Sequence, residues 1–92
     1  YIISPSDSLI SLCVDYAEAE GGEKERFYAY LYQGLVRYEL CDYSKSAQSM
    51  LRALANSGSI DDHYSKGQMF SYLFKCLYKR TKALFSRAFG ML

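Results

Sequence analysis

Residues 30–46 have the sequence YLYQGLVRYELCDYSKS, and this stretch decides the fold. Apolar or small side chains recur in steps of three and four from Phe27 through Tyr30, Gly34 and Tyr38, which is the spacing of one helix face. Asp42 then supplies a side chain of the kind that begins a helix. The stretch therefore predicts two helices joined by a short turn.

Helical spacing continues on both sides of this stretch, with no alternating pattern typical of strands. Ser4-Pro5-Ser6 predicts the start of a first helix over residues 4–21, and Gly21-Gly22 ends it. A third helix is expected over residues 43–57. Ser59 or Asp61 is expected to cap a fourth. The expected buried face of that fourth helix comprises Tyr64, Gly67, Phe70, Leu73, Phe74 and Leu77.

The end of the chain leaves two alternatives open. No glycine or proline interrupts residues 68–89, so either one helix runs to the end or a tight turn falls at residues 79–82. The prediction is a single all-α domain over residues 1–92, with four or five helices stacked as antiparallel hairpins. Gly34 is expected to mark a close crossing with the third helix near Ser46, Ala47 and Met50, because small residues let helices approach.

Composition restricts the function. The chain has 92 residues, half of them hydrophobic, and a net charge of +1. These values indicate one folded domain. The longest uncharged apolar stretch covers residues 27–36, which is too short to span a membrane. The charge is unevenly distributed: residues 1–46 carry −4 and residues 47–92 carry +5. A basic end can bind nucleic acid, but a solvated helix face is the stronger interpretation.

Residue types that perform chemistry are sparse. The three cysteines (Cys13, Cys41 and Cys76) and His63 are scattered and lack the spacing of a metal site, so the cysteines are predicted to be buried packing residues. His63 follows Asp61-Asp62 at an expected helix start, with no nucleophile motif and no phosphate or dinucleotide fingerprint elsewhere. We expect no catalysis, no metal, no cofactor and no small-molecule substrate.

Residues 27–57 resemble one tetratricopeptide (TPR) repeat. An aromatic residue precedes a glycine by four positions, and a tyrosine, a turn, small residues and a large apolar residue follow. The matching positions are Tyr30, Gly34, Tyr38, Tyr43, Ser46, Met50 and Ala53. Cys41 departs from the pattern, because it stands where the family has a turn glycine that favours a left-handed backbone. Residues 61–92 resemble a degenerate second repeat, with a 40-residue period preferred over a 33-residue one.

The resemblance implies a function. TPR arrays are non-catalytic scaffolds that bind a peptide or helix of another protein in a groove. The implied groove residues, on the side of the second helix facing away from the third, are Tyr28, Tyr32, Gln33 and Arg37. A looser likeness to large bacterial multi-repeat TPR proteins implies that the chain is a piece of a longer protein. Such a protein would be cytoplasmic, or periplasmic and tethered to a membrane.

An alternative is a self-assembling structural module. The first and last helices carry apolar stripes that the internal pairs cover on one side only, so a homo-oligomer is expected. The candidate residues are Leu9, Leu12, Tyr16, Leu84, Phe85 and Phe89. Nucleic-acid binding through the basic end is a less favoured third hypothesis.

Overall fold

The computed structural model describes the backbone of residues 7–90 and the side chains of residues 9–88 and 90. Four helices account for most of these residues: α1 (Asp7–Glu20), α2 (Glu23–Glu39), α3 (Tyr43–Ala55) and α4 (His63–Gly90). Residues 7–90 contain no strand. The predicted all-α fold of helical hairpins is confirmed, with four helices. The predicted Ser4-Pro5-Ser6 cap lies outside the described residues.

The helices form an array in chain order. Each helix packs against the next one along the chain, α2 and α3 most extensively, while α2 and α4 touch over a narrower area. No contact joins α1 to α3 or α4. As a result, α1 and α4 form the two ends of the array, and each has one face without a neighbouring helix.

Side chains and turns fix the start of each of the last three helices. The Gly22 amide donates to the Glu25 carboxylate at 3.0 Å where α2 begins, and the Lys45 amide donates to Asp42 Oδ1 at 3.2 Å where α3 begins. At α4 the Ser65 amide donates to Asp62 Oδ1 at 3.0 Å. The cap of α4 is therefore Asp62, and the expectation of Ser59 or Asp61 was wrong.

The core runs through the middle of the array. Its members are Val14, Phe27, Tyr30, Leu31, Met50, Ala53, Ile60 and Met69. Each helix contributes, and Ile60 adds the loop between α3 and α4. Removing these side chains from water is the main favourable term that holds the four helices together.

Helix α4 continues without a turn to Gly90, so of the two alternatives left open for the end of the chain, the single helix is present. The second repeat with a 40-residue period needs a turn at residues 79–82, and residues 63–90 have no turn there, so that period is wrong. The helix is also rotated: Ser65, Met69 and Cys76 are buried, while the predicted Tyr64, Phe70, Phe74 and Leu77 are exposed. Both faces of α4 are apolar at helical spacing, and contacts with α2 and α3 select the face that contains Met69.

Candidate interaction surfaces

The α2–α3 hairpin is held by a close crossing at Gly34. A Cβ atom added to Gly34 would lie 2.7 Å from Met50 Cε, and Met50 is 0% exposed. The Ser46 hydroxyl donates to the Gly34 carbonyl oxygen at 2.6 Å. Ala53 is also fully buried in this hairpin. The predicted close crossing of α2 at Gly34 with α3 at residues 46–50 is therefore present.

Gln33 and Arg37 face α3, so their assignment to a groove turned away from α3 was wrong. Ser49 Oγ donates to Gln33 Oε1 at 2.9 Å, and Arg37 Nη1 donates to Ser49 Oγ at 3.0 Å. Gln33 and Ser49 are both buried. A buried polar side chain needs a partner, and here α2 and α3 supply partners to each other. Ser49 lies three residues after Ser46, on the same side of α3, and this spacing is the signal in the sequence that could have placed it in the crossing.

The turn between α2 and α3 has a left-handed backbone at Cys41, with φ of 62°. This is the conformation that glycine favours, but the residue here is cysteine, where the TPR pattern has glycine. Beside the turn, the Tyr38 ring packs edge-on against Tyr43 and Tyr72, at centroid distances of 5.2 and 5.0 Å. Lys79 Nζ lies 5.0 Å from the centroid of the Tyr43 ring, and hydrogen bonding with Tyr43 raises the pKa of Lys79. The aromatic cluster therefore connects the turn to α4.

A second junction joins α2 to the start of α4. The Tyr28 hydroxyl donates to Asp62 Oδ2 at 2.8 Å, and Ser65 Oγ donates to the same oxygen at 2.7 Å. Hydrogen bonds from Ser65, followed by the one from Tyr28, lower the pKa of Asp62 to about 2. The hydrogen bond to Asp62 also raises the pKa of Tyr28. We call Tyr28, Tyr32, Lys24 and Asp61 the α2–α4 surface.

Tyr32 is the exposed aromatic residue of the α2–α4 surface. Its ring stacks on Tyr28, with centroids 6.4 Å apart and an interplanar angle of 24°. Tyr32 is 51% exposed and Tyr28 is half-buried. Lys24, Tyr28 and Asp61 also line a depression between α2 and the loop before α4. The structure therefore groups two of the four predicted groove residues, Tyr28 and Tyr32, on one surface.

The remaining predicted packing residue, Tyr30, connects α2 to α1. Its side chain is buried, and its hydroxyl donates to Glu18 Oε2 at 2.6 Å. Burial, followed by the hydrogen bond to Glu18, raises the pKa of Tyr30. This bond fixes the position of α1 at its end of the array.

Both end helices expose large apolar side chains. The predicted self-association residues with described side chains are all more than half exposed: Leu9, Leu12, Tyr16, Leu84 and Phe85. Phe89 lies outside the described side chains. Helix α4 adds Phe70, Phe74 and Leu77 to the exposed set, so its apolar surface extends over more of the helix than expected.

Chemically reactive clusters are missing from the part of the chain that the structure describes. No group of three or more His, Cys, Asp or Glu side chains within residues 7–90 is placed to hold a metal ion. Cys76 is buried as predicted, but Cys13 and Cys41 are exposed, so the prediction of packing thiols was wrong for those two. No helix within residues 7–90 is long and apolar enough to cross a bilayer.

Comparison with protein-family models, with curated proteins and with solved structures returned no match to this chain.

Proposed function

We propose that the chain is a non-catalytic TPR-like scaffold, part of a longer protein, that binds a peptide or helix of a partner protein along the α2–α4 surface. The observation that carries the proposal is the stacked tyrosine pair, half-buried Tyr28 and exposed Tyr32, held where α2 meets the residue that caps α4. Tyrosine is enriched in protein interfaces because its ring packs against apolar groups while its hydroxyl remains hydrogen-bonded.

The rigidity of the junction supports this proposal. The Tyr28–Asp62–Ser65 hydrogen bonds tie α2 to the α4 cap, and Glu23 Oε1 accepts from both the amide and the hydroxyl of Ser59 at 3.0 Å. A surface that is already ordered loses little conformational entropy when a partner binds. The close approach of Gly34 to Met50 and the left-handed backbone of the turn, which Cys41 adopts in place of glycine, support a repeat scaffold.

Peptide selection tests the proposal. Peptides from a random display library are selected on the wild-type protein, and their dissociation constants are measured by fluorescence anisotropy. Tyr32→Ala is expected to weaken binding of the selected peptides by about tenfold or more, as for a central interface tyrosine. The matched control is Leu51→Ala, because Leu51 is 53% exposed but lies on α3.

Two results would reject the proposal. One is a selection that yields no peptide binding above background. The other is a set of peptides whose affinity falls equally for Tyr32→Ala and Leu51→Ala, because such peptides recognise any exposed apolar side chain.

A further inference from the structure

Helix α4 presents an apolar outer face that contains a glycine, as the covered face of α2 does. A Cβ atom added to Gly34 in α2 meets Met50 of α3, whereas one added to Gly67 in α4 meets nothing within 4 Å. The face of α4 that contains Gly67 is therefore uncovered by the rest of residues 7–90. Phe70, Phe74 and Leu77 follow Gly67 in steps of three and four, so they share its face. We call these four residues the α4 outer face. No helix of the described residues covers the α4 outer face at Gly67, whereas α3 covers α2 at Gly34.

Helix α1 presents an apolar face at the opposite end of the array. Leu12 and Tyr16 are one turn apart, and they are 66% and 69% exposed. Val14 and Ala17 lie on the other side of the helix and are buried. We call Leu12 and Tyr16 the α1 outer face. Because α1 contacts neither α3 nor α4, the two outer faces of one chain are separated by the body of the array.

The two end helices carry opposite charge, and neither contains a charged residue of the other sign. Helix α1 contains four acidic residues and no base, whereas α4 contains six Lys and Arg residues and no acid. Asp15 and Glu20 flank the α1 outer face, and Lys75 and Lys82 follow one edge of the α4 outer face. Opposite charge around two apolar faces favours pairing of one with the other and opposes pairing of either face with itself.

We propose that the α4 outer face of one copy binds the α1 outer face of a second copy, so that the chain associates head to tail. The α1 helix of the second copy would cover Gly67 as α3 covers Gly34. This contact goes beyond the proposed binding of a partner along the α2–α4 surface, because it uses none of the residues of that surface.

The contact is heterologous, and its size limits its strength. A head-to-tail contact leaves an unused face at each end of the complex, so association continues beyond the dimer unless a ring closes. The five large side chains would together remove on the order of 500 Å² from water, given the area of apolar and aromatic side chains. This area lies below that of tight complexes, so association is expected in the micromolar range.

Sedimentation velocity on matched variants tests the proposal. The α1-face variant is Leu12→Ser with Tyr16→Ser, and the α4-face variant is Phe70→Ser with Phe74→Ser. The control is Leu40→Ser with Leu51→Ser, because these side chains are 58% and 53% exposed and belong to neither outer face. Circular dichroism verifies that each variant retains its helices, as expected for substitutions at exposed positions.

The wild type is expected to increase in average mass with concentration, beyond the dimer. Each face variant alone is expected to associate about tenfold more weakly or not at all, while the control behaves as the wild type. An equimolar mixture of the two face variants is expected to form a heterodimer and nothing larger, because only one intact pair of faces remains. Added NaCl is expected to weaken the association.

Several outcomes would overturn the proposal. A wild-type monomer at every concentration would do so, as would a face variant that associates like the wild type, which indicates an α1–α1 or α4–α4 contact. Association that strengthens with NaCl indicates contact between like charges. A wild-type monomer that sediments with phosphatidylserine vesicles through Phe70 and Phe74 assigns the α4 outer face to a membrane surface instead.

Discussion

Gly34→Ala tests the packing of the central hairpin, because two opposing effects meet at this position. Alanine stabilises a helix interior by about 1 kcal/mol relative to glycine. The added methyl group, however, would lie 2.7 Å from Met50 Cε, 3.0 Å from Sδ and 3.1 Å from Cγ. Ordinary contacts between such atoms are about 3.5–4.0 Å, so the Met50 side chain must shift by roughly 1 Å.

The size of the effect follows from the burial of Met50. A methionine at the surface would rotate away at little cost, but Met50 is fully buried among close-packed side chains. Overpacking of a core costs about 1–3 kcal/mol. Subtracting the helix-propensity gain, we expect Gly34→Ala to leave the free energy of unfolding unchanged or lower it by up to about 2 kcal/mol.

Gly67→Ala is the matched control, because it makes the same change in a helix where the methyl group meets nothing within 4 Å. It is expected to raise the free energy of unfolding by about 1 kcal/mol. Thermal and urea unfolding at low protein concentration measure both variants. The two are expected to differ by about 1–3 kcal/mol, where each kcal/mol corresponds to about 4–8 °C in Tm.

The double variant Gly34→Ala with Met50→Ala isolates the contact between the two side chains. In the Met50→Ala background the crowding is relieved, so Gly34→Ala is expected to become stabilising. The reasoning fails if Gly34→Ala stabilises the wild type as much as Gly67→Ala does, because the methyl group would then have met open space.

Three further outcomes follow from the structure. The pKa of Asp62 is lowered from 3.8 to about 2, so in acid the unfolded chain binds more protons than the folded chain. The stabilising contribution of Asp62 is therefore present above its unfolded pKa and is lost as the pH falls toward 2. Asp62→Asn is expected to flatten this part of the pH dependence of stability, measured by urea unfolding. Cys41→Gly relieves a left-handed backbone and is expected to stabilise by up to about 1 kcal/mol, whereas Cys13→Gly in α1 is expected to destabilise by about 0.3 kcal/mol in the same thermal assay. Ser49→Ala removes a hydrogen-bond partner of Gln33 and of Arg37 and is expected to cost about 1–3 kcal/mol by urea unfolding, while Ser44→Ala at an exposed position costs less than about 0.5 kcal/mol.

The central hairpin was predictable because most local signals there agree, with Cys41 in the turn as the exception. The spacing of Tyr30, Gly34 and Tyr38 defines one face, Asp42 begins the next helix, and small residues at Gly34 and Ser46 permit a close crossing. The prediction failed for Gln33, because its polarity was taken to mean exposure. A polar side chain can be buried when a partner such as Ser49 lies opposite, and a single sequence does not show which residues lie opposite each other.

Helix α4 shows a second limit of sequence reasoning. The face with Phe70 and Phe74 is more hydrophobic than the face with Ser65 and Cys76, yet the second face is buried. The deciding interactions are made by other elements: Asp62 caps the helix, and Tyr28 holds that cap against α2. Periodicity identifies the apolar faces of a helix, but tertiary contacts select the face that the fold covers.

This choice of face connects the two proposals. Because the contacts at Asp62 turn Met69 toward the core, Phe70 and Phe74 point away from it and remain exposed. The same contacts hold Tyr28 and Tyr32 at the junction of α2 with α4. The two surfaces use different residues, so a partner on the α2–α4 surface would leave the outer faces accessible. Tyr32→Ser is therefore expected to weaken peptide binding without changing the sedimentation behaviour, and Phe74→Ser is expected to do the reverse.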